Sequence, residues 1–139
     1  MSDIERAAAG FGQGLNCAQS IVSTYGPRFG LERELALKVA SGLGGGIGHL
    51  GETCGAVTGA IIVIGLKGDA SATEQTYALV AQFLERFKAR HGSIMCRELL
   101  GCDISTPAGL ETARDKGLFE ERCPNFVRGA AEILEEILS

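Results

Sequence analysis

Five cysteines, at positions 17, 54, 96, 102 and 123, are the residues of this 139-residue chain best equipped for chemistry. Their odd number leaves at least one outside any disulfide. No C-x-x-C joins two of them, so neither a thioredoxin-like dithiol nor a zinc ribbon follows from the spacing. Local context says more. Asn16 can cap a helix beginning at Cys17, Thr53 can cap one beginning at Cys54, and Ser93 stands three residues before Cys96. Pro124, of a type favoured in the first helical turn, makes Cys123 itself the cap of a last helix. A helix start carries unpaired N–H groups and the positive end of the helix dipole, which favour thiolate over thiol. Four thiolates so placed suit a centre of positive charge, either an iron-sulfur cluster, most simply of two irons, or structural zinc in the same four-sulfur set. They suit equally a redox dithiol in which two of these cysteines form a reversible bond. Free cysteine also packs as a small hydrophobe. Cys102, just after Gly101, reads as inert packing or a spare resolving thiol.

Other chemistries have weaker footing. His49 and His91 each lie five residues before a cysteine, but His91 ends a helical pattern and His49 sits in a loop. A helix C-terminus favours a partly positive imidazole, which accounts for His91 without a catalytic role. Residues 46–51, GIGHLG, match the dinucleotide pattern G-x-G-x-x-G. That fingerprint joins a strand to a helix, and here an amphipathic helical pattern precedes it, so no nucleotide is expected. Neither a serine triad nor a phosphate loop with Lys-Ser/Thr is present.

The elements that must position these sulfurs read as helices. Phe11, Leu15, Ala18, Val22 and Tyr25 recur on one helix face, and Gly26-Pro27 stops it. Residues 31–43 form a second helix with Leu31, Leu35, Val39 and Leu43 stacked. A tract follows in which eight of the eighteen residues 42–59 are glycine. Residues 53–67 contain strand formers at 61–64, yet a lone strand would have no pairing partner, so helix is predicted. In that helix Gly51, Gly55 and Gly59 fall every fourth residue and offer a side-chain-free edge to a neighbour. Residues 71–90 make a long amphipathic helix with Tyr77, Val80, Ala81, Leu84 and Phe87 inward and a Ser71 to Glu74 capping box. A short helix at 96–100, a turn of helix at 108–116 and a closing helix at 124–138 complete an all-α, single compact bundle of about six helices, residues 1–139 forming one domain.

Composition sets the surroundings. With 45% hydrophobic and 22% charged residues the chain can bury a core without disulfides, and its net charge of -4 argues against nucleic acid as a partner. The N-terminal residues carry acids rather than a secretory signal, and no uncharged run reaches the roughly 20 residues of a membrane span, so a cytoplasmic protein is expected. A homodimer through the glycine edge or through residues 133–138 is the purely structural alternative.

The motifs NCAQ around Cys17, ASGLGGGIG followed by TCGAVTGA around Cys54, CRELLG at Cys96 and LFEERCPNFVRGAAEIL around Cys123 resemble, in order, the redox-active C_GCAxxG_C_C family. One departure is a glycine, Gly55, directly after the central cysteine, where the family name has alanine. The resemblance implies a small, helical, prokaryotic redox protein with an unknown redox partner protein, its functional residues being Cys17, Cys54, Cys96 and Cys123. Related domains resemble the cysteine-bearing part of split-Soret cytochromes, but without C-x-x-C-H no covalent haem is expected here.

Overall fold

A computed structural model describes residues 1–139. The chain is helical throughout, with eight α-helices rather than about six: α1 (Asp3–Gly10), α2 (Cys17–Tyr25), α3 (Arg33–Val39), α4 (Gly55–Lys67), α5 (Thr73–His91), α6 (Cys96–Leu100), α7 (Pro107–Asp115) and α8 (Leu118–Leu138). Short 3₁₀ turns at Phe11–Gln13, Gly26–Phe29 and Ser41–Leu43 link the first elements. No helix is long and apolar enough to cross a membrane.

The apolar face expected over residues 11–25 is divided. Gly14 takes a left-handed conformation that ends the first 3₁₀ turn, and Asn16 then starts α2. The Asn16 side chain accepts from the Gln19 N–H at 2.8 Å while the Gln19 side chain accepts from the Asn16 N–H at 3.0 Å, a reciprocal cap that satisfies two orphan donors. Farther along α2, the Tyr25 hydroxyl donates to Glu135 of α8, and Arg28 pairs with the same carboxylate at 2.8 Å.

The centre of the fold is α4 on α2. The strand-prone residues 61–64 are helical because α4 is packed among α2, α5 and α8. Where the glycine edge was expected, Gly55 and Gly59 meet the backbone of α2: a Cβ on Gly59 would lie 3.1 Å from both Cα and O of Ala18. Gly51 is not part of that edge, since it precedes the helix and has φ +70°. The edge is therefore spent inside the chain, as are Ile133, Leu134 and Ile137, all buried. On the second face expected for a homodimer, Glu136 is exposed and Leu138 half-buried.

Gly59→Ala is expected to destabilise the protein, because overpacking of about 1–3 kcal/mol exceeds or matches the helix-propensity gain of about 1 kcal/mol. Gly65, on the same helix, has open space around its Cα. Gly65→Ala is accordingly expected to stabilise by up to about 1 kcal/mol. Urea unfolding of the two variants should shift the midpoint in opposite directions.

Four local expectations are corrected. On α3 the buried residues are Ala36 and, at its C-cap, Ala40, whereas Leu35 and Val39 are about half exposed; the small residues let α3 lie close on α2. On α5 the buried positions are Phe83 and Phe87, and Tyr77 is 62% exposed. Its expected capping box does not form, because Ser71 bonds to Asp69 and Ala72 occupies the cap. The last helix begins at Leu118, six residues before Pro124. Proline inside a helix forfeits one N–H bond and clashes with the preceding turn, a cost that burial of Leu118, Cys123, Phe126 and Val127 on this helix outweighs.

Candidate functional site

Cys17 is the first residue of α2, directly behind the Asn16–Gln19 cap. Gln19 also donates to the Leu37 carbonyl at 3.1 Å and Asn16 to that of Ser41 at 3.2 Å, so the α2 start is tied to α3 and to the turn that follows it.

Cys54 and Cys96 are set by each other's backbone. An antiparallel bridge joins Thr53 to Met95. On either side of it the Cys54 N–H donates to the Ile94 carbonyl at 2.7 Å and the Cys96 N–H to that of Glu52 at 2.6 Å. Alternation along paired strands puts residues 54 and 96 on one face, as diagonal neighbours. Cys54 itself is the N-cap of α4, one position earlier than expected, and its carbonyl accepts the Val57 and Thr58 N–H groups. Cys96 opens α6, while Ser93 accepts the Met95 N–H at 2.9 Å and donates to Glu98 at 2.6 Å.

The glycine tract that leads to this bridge is a left-handed turn. Gly45, Gly46, Ile47, Gly48 and His49 all have φ between +59° and +69°. Ile47 is β-branched and His49 carries a full side chain, so both are strained there. The turn closes with long-range bonds, Gly48 N–H to Gly42 O at 3.0 Å, Gly51 N–H to Gly45 O at 3.1 Å and Glu52 N–H to Gly46 O at 2.8 Å. At its start, the N–H groups of Gly44, Gly45 and Gly46 donate to no protein acceptor. What precedes the turn is a helix and a 3₁₀ turn, not the strand a dinucleotide loop requires.

Cys123 departs from the expectation of a helix start. It lies in the sixth position of α8, so the dipole of that helix start does not act on it as supposed. It nevertheless joins the others. Cys17, Cys54, Cys96 and Cys123, from four separate helices, line one cavity of about 370 Å³, and each is at most 9% exposed. All are free thiols. Gly44, Gly45 and Gly46 line the same cavity, with the exposed side chains of His49, Arg114 and Glu120 and the rings of Phe11, Phe119 and Phe126.

The electrostatics reverse part of the helix-start expectation. Burial pushes the Cys54 thiol up to about 12, against the opposing pull of the Ala56 and Val57 N–H groups. Burial, then the neighbouring Cys123, pushes Cys96 up to about 12. The interaction between Cys17 and Cys123 holds Cys17 well above the ordinary range and draws Cys123 below it. Cys17 is raised further by burial and by the other three sulfurs. Desolvation outweighs the dipole once a thiolate must form away from water beside three others.

For the metal-free protein the sign of the pH dependence follows. The folded-state pKa values of Cys54 and Cys96 lie above the ordinary 9.0, so the unfolded chain loses these protons first. Their contribution to stability is present below about pH 9 and is lost as pH rises toward about 12. Urea midpoints measured across that window are expected to fall, and less steeply in a Cys54→Ala chain.

Cys102 stands apart, half-buried, its thiol donating to the Gly109 carbonyl at 3.3 Å. His49, read as a loop residue, lies at the cavity and edge-on to Phe119 with ring centroids 6.3 Å apart. His91 is packed between Phe87 and Phe126 at 4.5 and 5.3 Å, its Nε2 without a partner. Burial lowers its pKa, so the positive imidazole expected at that helix end is disfavoured. Arg114, Phe119 and Phe126 carried no signal in the sequence, since only the packing of α7 and α8 brings them to the sulfurs.

No three His, Cys, Asp or Glu side chains are spaced to hold a single metal ion. The bridge brings Cys54 and Cys96 to one face, and Cys17 and Cys123 influence each other's ionisation. No curated protein and no solved structure matches the chain. Residues 15–137, which include all five cysteines, match the family model described as "Putative redox-active protein (C_GCAxxG_C_C)", and the chain belongs to that family.

Proposed function

We propose that Cys17, Cys54, Cys96 and Cys123 ligate an iron-sulfur cluster, most simply of two irons, in a protein of electron transfer or redox sensing. The observation that carries this reading is the enclosure of four free thiols from four helices around one cavity of about 370 Å³. Three of these thiols resist ionisation, and in each of the three the neighbouring sulfurs contribute. Four thiolates there need a cationic centre, and metal binding supplies one at the moment the protons leave. Two irons would spread the four sulfurs over two metals, which suits this lining better than a single zinc ion does.

A cluster in this position would supply an electron-accepting and electron-donating couple. The chain's own part is to hold the four sulfurs, to keep water from them by burial, and to offer the free N–H groups of Gly44, Gly45 and Gly46 to sulfur. Such donors, with burial, are among the features that set the potential of a thiolate-bound cluster. His49 and Arg114, exposed on the cavity lining, are the side chains a redox partner protein would meet.

Anaerobic reconstitution of the purified chain with ferrous iron and sulfide tests this. Bound iron, acid-labile sulfide and visible absorption are expected, and a colourless, iron-free protein would reject the cluster. One observation favours a second reading. Cys123, beside Cys17, is the one thiol of the four drawn below the ordinary range, the property of a nucleophilic thiol in a thiol-disulfide pair. On that reading mild oxidation removes two hydrogens and links Cys17 to Cys123, which peptide mass analysis would detect in the iron-free protein.

A further inference from the structure

Of the four cavity cysteines, Cys96 has the least support from its own element. The helix it opens, α6, is five residues long, well short of the roughly 12 residues at which an isolated helix begins to hold in water. Its start is held by the Cys96 N–H on the Glu52 carbonyl at 2.6 Å. Its end is held differently. Gly101, with φ +68°, turns the chain out of the helix, and the N–H groups of Gly101 and Cys102 both donate to the Arg97 carbonyl. The Leu99 and Leu100 carbonyls receive no backbone N–H. They receive a guanidinium from α8 instead: Arg122 Nη1 donates to the Leu100 carbonyl at 2.6 Å and reaches that of Leu99 at 3.5 Å.

Arg122 differs from the other arginines that join helices. Arg86 and Arg90 of α5 reach carboxylates on α8, and Arg28 reaches Asp3 and Glu135. Arg122 is half-buried and makes no salt bridge. Its charge is spent on the negative end of α6, where carbonyls left over by the helix would otherwise go unpaired. The position matters for the sulfurs. Leu99 and Leu100 line the cysteine cavity and are 8% and 2% exposed, and Arg122 directly precedes Cys123. Pro124 follows, without an N–H to give the Glu120 carbonyl, so α8 lacks a bond of its own at the turn that carries Cys123.

We propose that Arg122 is a positioning residue for the four-sulfur centre: by tying the end of α6 to this turn of α8, it fixes the separation of the Cys96 and Cys123 sulfurs. Its part in a cluster rests on the reading above, in which both sulfurs are ligands, whereas the tie itself belongs to the metal-free chain. Arg122 acts through the α6 backbone rather than on the sulfurs.

Alkylation of the metal-free chain with iodoacetamide, timed and resolved cysteine by cysteine through peptide mass analysis, tests the tie. In Arg122→Gln the Cys96 rate is expected to rise about tenfold, the size of effect that losing a charge-assisted hydrogen bond has on a local opening, with Cys54 and Cys102 unchanged. Arg122→Lys keeps a cation able to reach one carbonyl and should recover most of the protection. After anaerobic reconstitution with ferrous iron and sulfide, Arg122→Gln should shift the electron paramagnetic resonance g-values of the reduced centre, and Arg122→Lys should bring them back. An unaltered protein that takes up no iron would reject the cluster and leave the alkylation rates to decide on Arg122. Equal Cys96 rates in the unaltered and Arg122→Gln chains, a rise shared by all the thiols, or iron-loaded chains with identical g-values would overturn the proposal.

Discussion

A Cys54→Ser chain, reconstituted anaerobically beside the unaltered protein, is expected to take up less than about a tenth of the iron. Cys17→Ser, Cys96→Ser and Cys123→Ser should lose it to a similar degree. Serine keeps the size of the side chain but not a sulfur that ionises to meet a metal. Changes merely adjacent to metal ligands commonly cost 10–100-fold in affinity, so loss of a ligand should cost at least that. The comparison that gives the series its meaning is Cys102→Ser. Cys102 does not line the cavity and spends its thiol on the Gly109 carbonyl, so iron uptake should be unchanged. Retention of helical circular dichroism in each variant separates a lost ligand from a lost fold. Equal iron uptake by all five variants would show that the four sulfurs do not act together.

Gly46→Ala should do damage of a different kind, by moving a ligand rather than removing it. Gly46 has φ +69°, where an added side chain costs about 1–2 kcal/mol. Its new Cβ would also stand 2.6 Å from the Cys96 Cβ and 2.7 Å from the Glu52 nitrogen. Neither atom is the free end of a flexible side chain. Glu52 gives its N–H to Gly46 and takes the Cys96 N–H at 2.6 Å, so any shift that relieves the clash is passed to Cys96. With overpacking of about 1–3 kcal/mol added to the backbone term, a total loss of about 2–5 kcal/mol is expected. Iron uptake should fall with it. Gly48 offers the control, since it has φ +59° and nothing within 4 Å of a built Cβ. Gly48→Ala should show only the backbone cost, about 1–2 kcal/mol, and keep its iron. Urea unfolding and iron analysis on the two variants check this, and equal effects would contradict it.

The helices whose signals are local were legible in the residues. Asn16 and the CRELL segment at 96–100 mark helix starts by themselves, and the structure places helices there, while Thr106 caps the helix that was expected only from residue 108. Residues 55–67 were readable against their strand propensity because no partner strand was in sight. What failed depended on tertiary context. Pro124 is favoured at a helix start, yet its cost inside α8 is met by packing on both sides of it. Leu35 and Val39 are larger than Ala36 and Ala40, but close approach of α3 to α2 selects the small residues for the buried face.

The site divides along the same line. Four cysteines could be singled out by residue type and by context at their helix starts. Their convergence was expected from the chemistry of a shared centre, but the means of it could not be read, because the Thr53–Met95 bridge and the packing of α8 connect residues far apart in the chain. The ionisation of the thiols was misjudged for a related reason. A helix dipole acts within one turn and can be read locally, whereas desolvation depends on everything that surrounds the sulfur.

Anomalous diffraction at the iron edge, from crystals of the anaerobically reconstituted chain, tests the central claim most directly. Iron is expected within the cavity and bonded to Cys17, Cys54, Cys96 and Cys123. Iron bound elsewhere, or an iron-free cavity crossed by a Cys17–Cys123 disulfide, would contradict it.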